Sequence, residues 1–238
     1  MAISARSGQS AVADAERSRR REPVRPSADD DPAAPVVFVV DDDSAIRDSL
    51  RRLISSVGFK VEVFPSARAF LGARRPDVPG CLVLDVRLPG LSGLDLQREL
   101  AATDAELPII FLTGHGEVRD SVRAIQRGAI DFLIKPVEGT VLIDAVTRAL
   151  AQDTANRAAR MHLQGVRERY ERLTDREREV FAHLISGQLN KQVAADLGIS
   201  ERTIKLHRAR IFQKLQTDSI AALTRIAMDL GVEPVRAP

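Results

Sequence analysis

The chain has 238 residues, a length that suits two domains of about 100 to 150 residues better than one. Its single cysteine, Cys81, excludes a disulfide scaffold and any multi-cysteine zinc or iron–sulfur site, and the scarcity of aromatic residues argues against sugar-stacking platforms. No apolar run approaches the ~18 residues of a membrane span and the N-terminus has no apolar signal core, so we expect a cytoplasmic protein with no membrane partner.

The formal net charge of +2 is unevenly distributed along the chain. Residues 36–150 carry 14 Lys and Arg against 16 Asp and Glu, for a net charge of −2. Residues 151–238 carry 15 against 11, for a net charge of +4. This asymmetry indicates that any polyanionic partner would bind at the C-terminal end.

Residues 1–35 are rich in Ala, Ser, Arg, Asp and Pro and have no sustained apolar period. We interpret them as a disordered tail, because such a composition cannot bury enough apolar surface to fold. The tail contains the basic run Arg17–Arg21 and ends in DDDPAAP. A basic arm that contacts DNA is the alternative interpretation.

Between residues 36 and 150, short apolar strands alternate with amphipathic helices. The predicted strands are 36–40, 60–64, 81–84, 108–112 and 131–134, and the predicted helices are 44–57, 66–73, 94–100, 117–127 and one that begins at 140. Residues 46, 50, 53, 54 and 57 form the apolar face of the first helix. The alternation predicts an α/β, doubly wound, five-stranded parallel sheet.

No strand signal follows residue 150. Residues 151–172 are charged and Ala-rich, which predicts a helical linker that continues the preceding helix. Residues 173–238 contain four helical patterns, so we expect a small all-α second domain.

Polar residues follow four of the five predicted strands, at the sheet edge where open parallel sheets carry function. They are Asp41 and Asp42, Asp85, Thr113, and Lys135. Three converging carboxylates need a counter-charge, and hard oxygen ligands favour Mg²⁺. Asp42 or Asp43 could instead simply cap the helix that follows.

The same residues suit phosphoryl transfer. A carboxylate can attack phosphorus directly, and Asp85 stands alone at the end of the central strand, so we predict that it is the nucleophile. Lys135 would neutralise one phosphoryl oxygen and Thr113 would hydrogen-bond to another. Pro136 predicts a cis peptide bond that would aim Lys135 inward.

The segments VVDDD (39–43), LDVRLPGLSG (84–93), LTGHG (112–116) and GAIDFLIKP (128–136) resemble the receiver domain of bacterial two-component response regulators. The resemblance covers about residues 36–150 and implies a CheY-like fold. It implies the following roles: Asp85 as phosphoacceptor, Asp41 and Asp42 with Asp85 and the Arg87 carbonyl as Mg²⁺ ligands, Lys135 as the active-site lysine, and Thr113 and Phe132 as the switch.

An enzyme is the alternative for such a pocket. Haloacid-dehalogenase-type phosphatases also use an aspartate nucleophile at a strand end, but they need a second Asp two residues later as general acid. That position is Arg87 here, which argues against a phosphatase that turns over.

In the second domain, residues 173–215 predict three helices joined by tight turns. The signals that begin and end them are a capping box at Thr174 and Glu177, then Gly187, Asn190, Gly198 and Ser200. Two helices joined by a short glycine turn form a helix-turn-helix. The third helix carries five basic residues against one acid between 201 and 214, which suits the major groove of DNA.

The segments LTDREREV, GQLNKQVAADLGIS and RTIKLHR resemble the LuxR-type helix-turn-helix domain. The resemblance implies that Lys205, Leu206 and Ala209 face the bases, although Ala209 is small where this family often has a long polar side chain. Phosphate contact or orientation is implied for Asn190, Lys191, Thr203, His207, Arg208 and Arg210. A fourth helix, 218–230, would form a dimer contact, or would merely close the domain core.

A receiver followed by a LuxR-type domain is similar to the NarL/FixJ family of response regulators, and to its FixJ branch in particular. The resemblance implies a sensor histidine kinase, double-stranded DNA and RNA polymerase as partners, a homodimer when phosphorylated, and regulation of transcription, with activation favoured. A constitutive DNA-binding protein and a phosphorelay adaptor are the remaining alternatives. We expect no enzyme activity.

Overall fold

The computed structural model describes residues 33–103, 107–114 and 118–235. The predicted tail therefore lies outside the described residues, apart from its last three. The first domain contains β1 (Val36–Val40), α1 (Ser44–Ser56), β2 (Lys60–Phe64), α2 (Ala67–Gly72), β3 (Gly80–Leu84), α3 (Gly93–Ala101), β4 (Ile109–Thr113), α4 (Val118–Gln126) and β5 (Asp131–Ile134). The chain continues with α5 (Gly139–Glu171), which the two domains share, and then with α6 (Asp175–Ile185), α7 (Asn190–Asp196), α8 (Glu201–Leu215) and α9 (Ile220–Leu230).

The five strands form one parallel sheet in the order β2-β1-β3-β4-β5. Every residue of β1, β3 and β4 is buried, because helices cover both faces of the sheet. One face packs a core around Phe38, Phe70 and Phe111, and the other packs α1 and α5 around Val37 and Ile54. The predicted doubly wound fold is confirmed.

The boundaries differ from the predicted ones by a residue or two. β3 begins at Gly80, and β4 runs from Ile109 through Thr113, so Thr113 is the last residue of its strand. The placement of Val57 on the buried face of the first helix is wrong: α1 ends at Ser56 and the Val57 side chain is 50% exposed. Gly58 then reverses the chain with φ +91°, a conformation that glycine adopts without strain.

α5 is a single helix of 33 residues that begins in the first domain and ends in the second. Its first turns pack Leu142, Val146 and Leu150 against the sheet. Near its C-terminus, Tyr170 joins the core of the second domain, with its ring 5.3 Å from that of Phe181. The predicted linker 151–172 is thus the continuation of a helix that contributes to both cores.

The second domain is a four-helix unit whose core includes Val180, Leu184, Val193, Ile204 and Leu223. Its turns use the predicted glycines, with positive φ at 187 and 198. The predicted helix 218–230 begins two residues later, at Ile220, because Ser219 is its N-cap. Across the described part of the chain, no helix is both long enough and apolar enough to cross a membrane.

Candidate phosphoacceptor and DNA-binding sites

The sheet register brings the predicted carboxylates together at one edge. Val40 pairs with Leu84, so Asp41 and Asp85 follow neighbouring strands at the same level. Carboxylate oxygens of Asp41, Asp42 and Asp85 all lie within 4.8 Å of one another. The predicted convergence of these three residues is therefore present in the structure.

Lys135 lies between two of these carboxylates. Its Nζ donates to Asp41 Oδ2 at 2.6 Å and to Asp85 Oδ2 at 2.8 Å. Burial opposes the lysine charge, but the two hydrogen bonds and the two negative charges outweigh it, so the pKa of Lys135 is raised. Lys135 therefore remains a cation beside Asp85. The Lys135–Pro136 peptide bond is cis, as predicted.

The three consecutive aspartates after β1 differ in their burial and in their hydrogen-bond partners. Asp43 is the N-cap of α1, and its Oδ1 accepts from the amides of Ala45 at 2.8 Å and Ile46 at 3.3 Å. Asp41 is buried and accepts from the Asp43 amide at 2.9 Å. The alternative that an aspartate here caps the helix is correct for Asp43, and the exposed carboxylate of Asp42 remains at the pocket.

The backbone after Asp85 closes around its carboxylate. The Arg87 amide donates to Asp85 Oδ1 at 3.1 Å, so the chain turns back towards the pocket at this residue. Gly93 packs so closely that a Cβ there would lie 2.2 Å from the Asp85 carbonyl oxygen. Sequence reasoning missed this role of Gly93. The only available signal was the glycine that ends the segment LPGLSG.

The two predicted switch residues lie on adjacent strands. Thr113 is 1% exposed at the end of β4, and its carbonyl accepts from the Lys135 amide at 2.8 Å. Phe132, in β5, is half-buried with its ring 6.0 Å from that of Phe111. Both residues are thus linked to the pocket through the paired strands β4 and β5.

The donor set of the pocket fits Mg²⁺. Three carboxylates, one of them exposed, supply hard oxygen ligands and leave room for the waters that Mg²⁺ retains. Burial raises the pKa of Asp41 despite the hydrogen bonds from Lys135 and the Asp43 amide. An added divalent cation would stabilise the charged form of that carboxylate.

In the second domain, the turn between α7 and α8 is held in place by α6. The guanidinium of Arg176 donates to the Leu197 carbonyl at 2.8 Å, a contact that sequence reasoning missed. Ser200 caps α8 through the Thr203 amide at 3.1 Å. Ile204, Ile211 and Leu215 bury the inner face of α8, as predicted.

The residues predicted to face the bases are exposed together on the outer side of α8. Lys205, Leu206 and Ala209 are all exposed, and Leu206 keeps 51% of its surface accessible. Arg210 and Lys191 are also exposed, whereas Thr203, His207, Arg208 and Asn190 are half-buried. The structure therefore brings all nine predicted DNA-contact residues to α8 and the adjoining α7.

Two of the basic side chains of α8 bond to residues outside this helix. Arg208 donates to Asn190 Oδ1 at 3.1 Å, which links α8 to the start of α7. Lys214 donates to Glu177 Oε2 at 2.6 Å and to the Arg172 carbonyl at 3.0 Å. Lys214, counted among the basic residues of this helix in the sequence, thus stabilises the fold rather than facing outward.

Comparison with known proteins identifies both domains. Residues 37–147 match the response regulator receiver domain, and residues 171–227 match the bacterial regulatory proteins of the luxR family. Nodulation protein W of Bradyrhizobium diazoefficiens is 47% identical over 197 residues, which cover 83% of this chain and 87% of that protein. The response regulator TodT of Pseudomonas putida is 42% identical over 193 residues, 81% of this chain and 85% of that protein.

A solved structure of the response regulator StyR covers 82% of this chain and 99% of its own, with 46% identity and a TM-score of 0.75. The domain pair implies a histidine kinase partner, DNA binding and a role in transcription regulation rather than catalysis. The chain belongs to the NarL/FixJ family of two-component response regulators, in the branch that includes FixJ, StyR and TodT.

Proposed function

We propose that a sensor histidine kinase transfers a phosphoryl group to Asp85 and that this modification controls dimerisation and sequence-specific binding to double-stranded DNA. The observation that carries the proposal is the position of Asp85 Oδ2, 2.8 Å from the ammonium group of Lys135 and beside two further carboxylates. This arrangement provides a nucleophile together with the positive charge that a phosphoryl group needs.

In the transfer step, a carboxylate oxygen of Asp85 forms a bond to phosphorus while the phosphorus–nitrogen bond to the kinase histidine breaks. Lys135 remains protonated and pairs with one phosphoryl oxygen, and the Thr113 hydroxyl donates to another. Mg²⁺, held by Asp41, Asp42, Asp85 and the Arg87 carbonyl, would neutralise charge on the phosphoryl oxygens when bound.

We propose that Thr113 and Phe132 then shift and change the surface formed by α4, β5 and α5. This surface carries exposed apolar side chains that suit a second copy of the domain: Val122, Ile125, Ile134 and Val141, each between 44% and 58% exposed. Phosphorylation would make two receiver domains associate through it.

For DNA, we propose that α8 enters the major groove with Lys205, Leu206 and Ala209 towards the bases. Six further residues would contact phosphates or orient the domain on the DNA: Asn190, Lys191, Thr203, His207, Arg208 and Arg210. In α9, Leu223 and Ala227 belong to the core, so this helix does close the domain, whereas Met228 is 76% exposed and available for a dimer contact. The paired domains would activate transcription through RNA polymerase.

Intact-mass analysis after incubation with acetyl phosphate and Mg²⁺ tests the transfer step. We expect one hydroxylamine-labile phosphoryl adduct on the wild type and none on Asp85→Asn, since the amide is not a nucleophile for phosphorus. Asp144→Asn removes an exposed carboxylate from α5 and should leave the adduct intact. If neither acetyl phosphate nor the cognate kinase gives an adduct, the phosphorylation mechanism is wrong and a constitutive DNA-binding protein becomes the better interpretation.

A further inference from the structure

A groove of about 870 Å³ lies at the base of the first domain, at the opposite end of the strands from Asp85. One wall is the loop that leads into β3, from Arg75 to Pro79, and the other is the α5 segment from Thr154 to Met161. Phe38 and Leu107 also line it, and Met161 is 76% exposed. The groove thus has a partly apolar lining and a charged rim.

The two walls are held together by a buried carboxylate. Asp153 of α5 is fully buried; its Oδ2 accepts from the Gly80 amide at 2.8 Å and from Arg157 Nε at 2.7 Å. Arg157 also pairs with Asp77 on the opposite wall. These contacts fix the two walls of the groove relative to each other.

Arg75 is a cation at this groove without a carboxylate partner among the described residues. Its guanidinium lies 4.9 Å above the ring of Phe70, a fully buried side chain. It forms no ion pair or hydrogen bond within the part of the chain that the structure describes. Partial burial lowers its pKa, because no anion among the described residues compensates for the lost hydration. A carboxylate at this place would remove that cost.

The chain itself supplies carboxylates next to the groove. The Val36 amide donates to the carbonyl of Pro79, a groove residue, at 2.9 Å, so the polypeptide enters β1 beside the groove. The run Asp29–Asp31 ends five residues before Val36, a separation of at most about 18 Å in an extended chain. Three contiguous negative charges are thereby tethered close to a half-buried arginine that has no ion pair in the described part of the chain.

We propose that the acidic run Asp29–Asp31 of this same chain binds in the groove and pairs with Arg75. Tethering raises the local concentration of these carboxylates far above that of a free anion. The bound segment contacts the loop before β3 and the first linker turns of α5 together. It holds the start of the linker against the receiver domain.

A spin label on the tail tests this in the full-length protein. Cys81 is buried and burial raises its thiol pKa to about 12, so a cysteine introduced by Ser27→Cys is labelled selectively. In ¹⁵N-enriched protein, we expect the label to broaden the amide signals of Val78, Ala158 and Met161. The broadening should weaken at ~1 M salt, where screening acts over about 3 Å.

Two variants in the labelled background identify the partners. Arg75→Gln, or Asp29→Asn with Asp30→Asn and Asp31→Asn, should abolish the broadening while the remaining amide spectrum stays unchanged. Arg74→Gln is the matched control, because Arg74 is the adjacent, exposed arginine outside the groove lining, and it should retain the broadening.

The proposal is overturned if the wild type shows no broadening at the groove, or if Arg75→Gln and the triple aspartate variant leave it unchanged. Mixing spin-labelled, unenriched protein with ¹⁵N-enriched, unlabelled protein distinguishes binding within one chain from binding to a second copy. Broadening that appears as strongly in this mixture comes from a second copy, and it contradicts binding within one chain.

Discussion

Glu177 is a buried carboxylate that joins three segments of the second domain. Its Oε2 accepts from the Thr174 amide at 2.9 Å and from Lys214 Nζ at 2.6 Å, and Lys214 also donates to the Arg172 carbonyl. Burial alone would raise the pKa of Glu177, but these donors outweigh it and hold the pKa below the ordinary value of 4.5. One residue therefore caps α6 and fixes the C-terminal end of α8.

The lowered pKa makes the stability of the second domain depend on pH. The contribution of Glu177 is fully present above its unfolded pKa and is lost as the pH falls through its lower, folded pKa. We expect Glu177→Gln to lower the free energy of unfolding at neutral pH by about 1–3 kcal/mol and to flatten its decrease on acidification. Urea denaturation followed by circular dichroism between about pH 7 and about pH 3 measures both effects.

Glu179→Gln is the control for this experiment. Glu179 lies on the same helix, but its side chain is 52% exposed in a surface pair with Arg176. Its replacement should change stability by less than about 1 kcal/mol. Parallel acid curves for the wild type and Glu177→Gln would contradict the assigned ion pair.

At the scale of elements, α5 shows how a helix can be tied to the sheet that it crosses. Asp153 on this helix accepts from the first amide of β3, at Gly80, and Asp85 follows the last residue of the same strand. We expect Asp153→Ala to lower the free energy of unfolding of the first domain by about 3–5 kcal/mol, since it leaves Arg157 and the Gly80 amide without their buried acceptor.

Two comparisons separate the charge of Asp153 from its hydrogen bonds. Asp153→Asn keeps an acceptor for Gly80 and should be less destabilising than Asp153→Ala. Asp144→Ala, an exposed position on the same helix, should remain within about 0.5 kcal/mol of the wild type. Urea denaturation and hydrogen exchange of the Gly80 amide are the measurements; an Asp153→Ala protein as stable as Asp144→Ala would disprove the anchoring role.

The elements themselves were predictable because each carries its own periodicity. The sequence predicted β1, β2 and β5 with the observed bounds and predicted the convergence at Asp41, Asp85 and Lys135. Periodicity reports the environment of a residue on its own element and says nothing about its partner. The sequence therefore showed Asp153 only as one charge of the helical linker and Lys214 only as one of five basic residues of α8. The tertiary contacts pair them with Gly80 and Glu177.

At the scale of the whole molecule, the N-terminal and C-terminal parts of the chain differ in net charge. Residues 36–150 carry −2, whereas the linker and the second domain together, residues 151–238, carry +4, so the positive charge that suits DNA lies in the C-terminal part of the chain. Part of that charge is internal, because Lys214 and Arg208 bond to residues of their own domain. Arg210 is exposed on α8 and forms no ion pair within the described residues.

DNA binding by the proposed phosphorylated dimer should therefore depend steeply on salt concentration, and Arg210 should account for part of that dependence. Each phosphate contact contributes about 0.9 to the slope of log K against log salt concentration. We expect Arg210→Ala to reduce that slope by about one for each protomer, so by about two for a dimer, in titrations of a fluorescent operator at several salt concentrations. Arg167→Ala removes the same charge from an exposed position of α5 and should leave the slope unchanged. An equal reduction by both variants would mean that DNA responds only to the overall charge of the linker and second domain, and it would contradict a phosphate contact at Arg210.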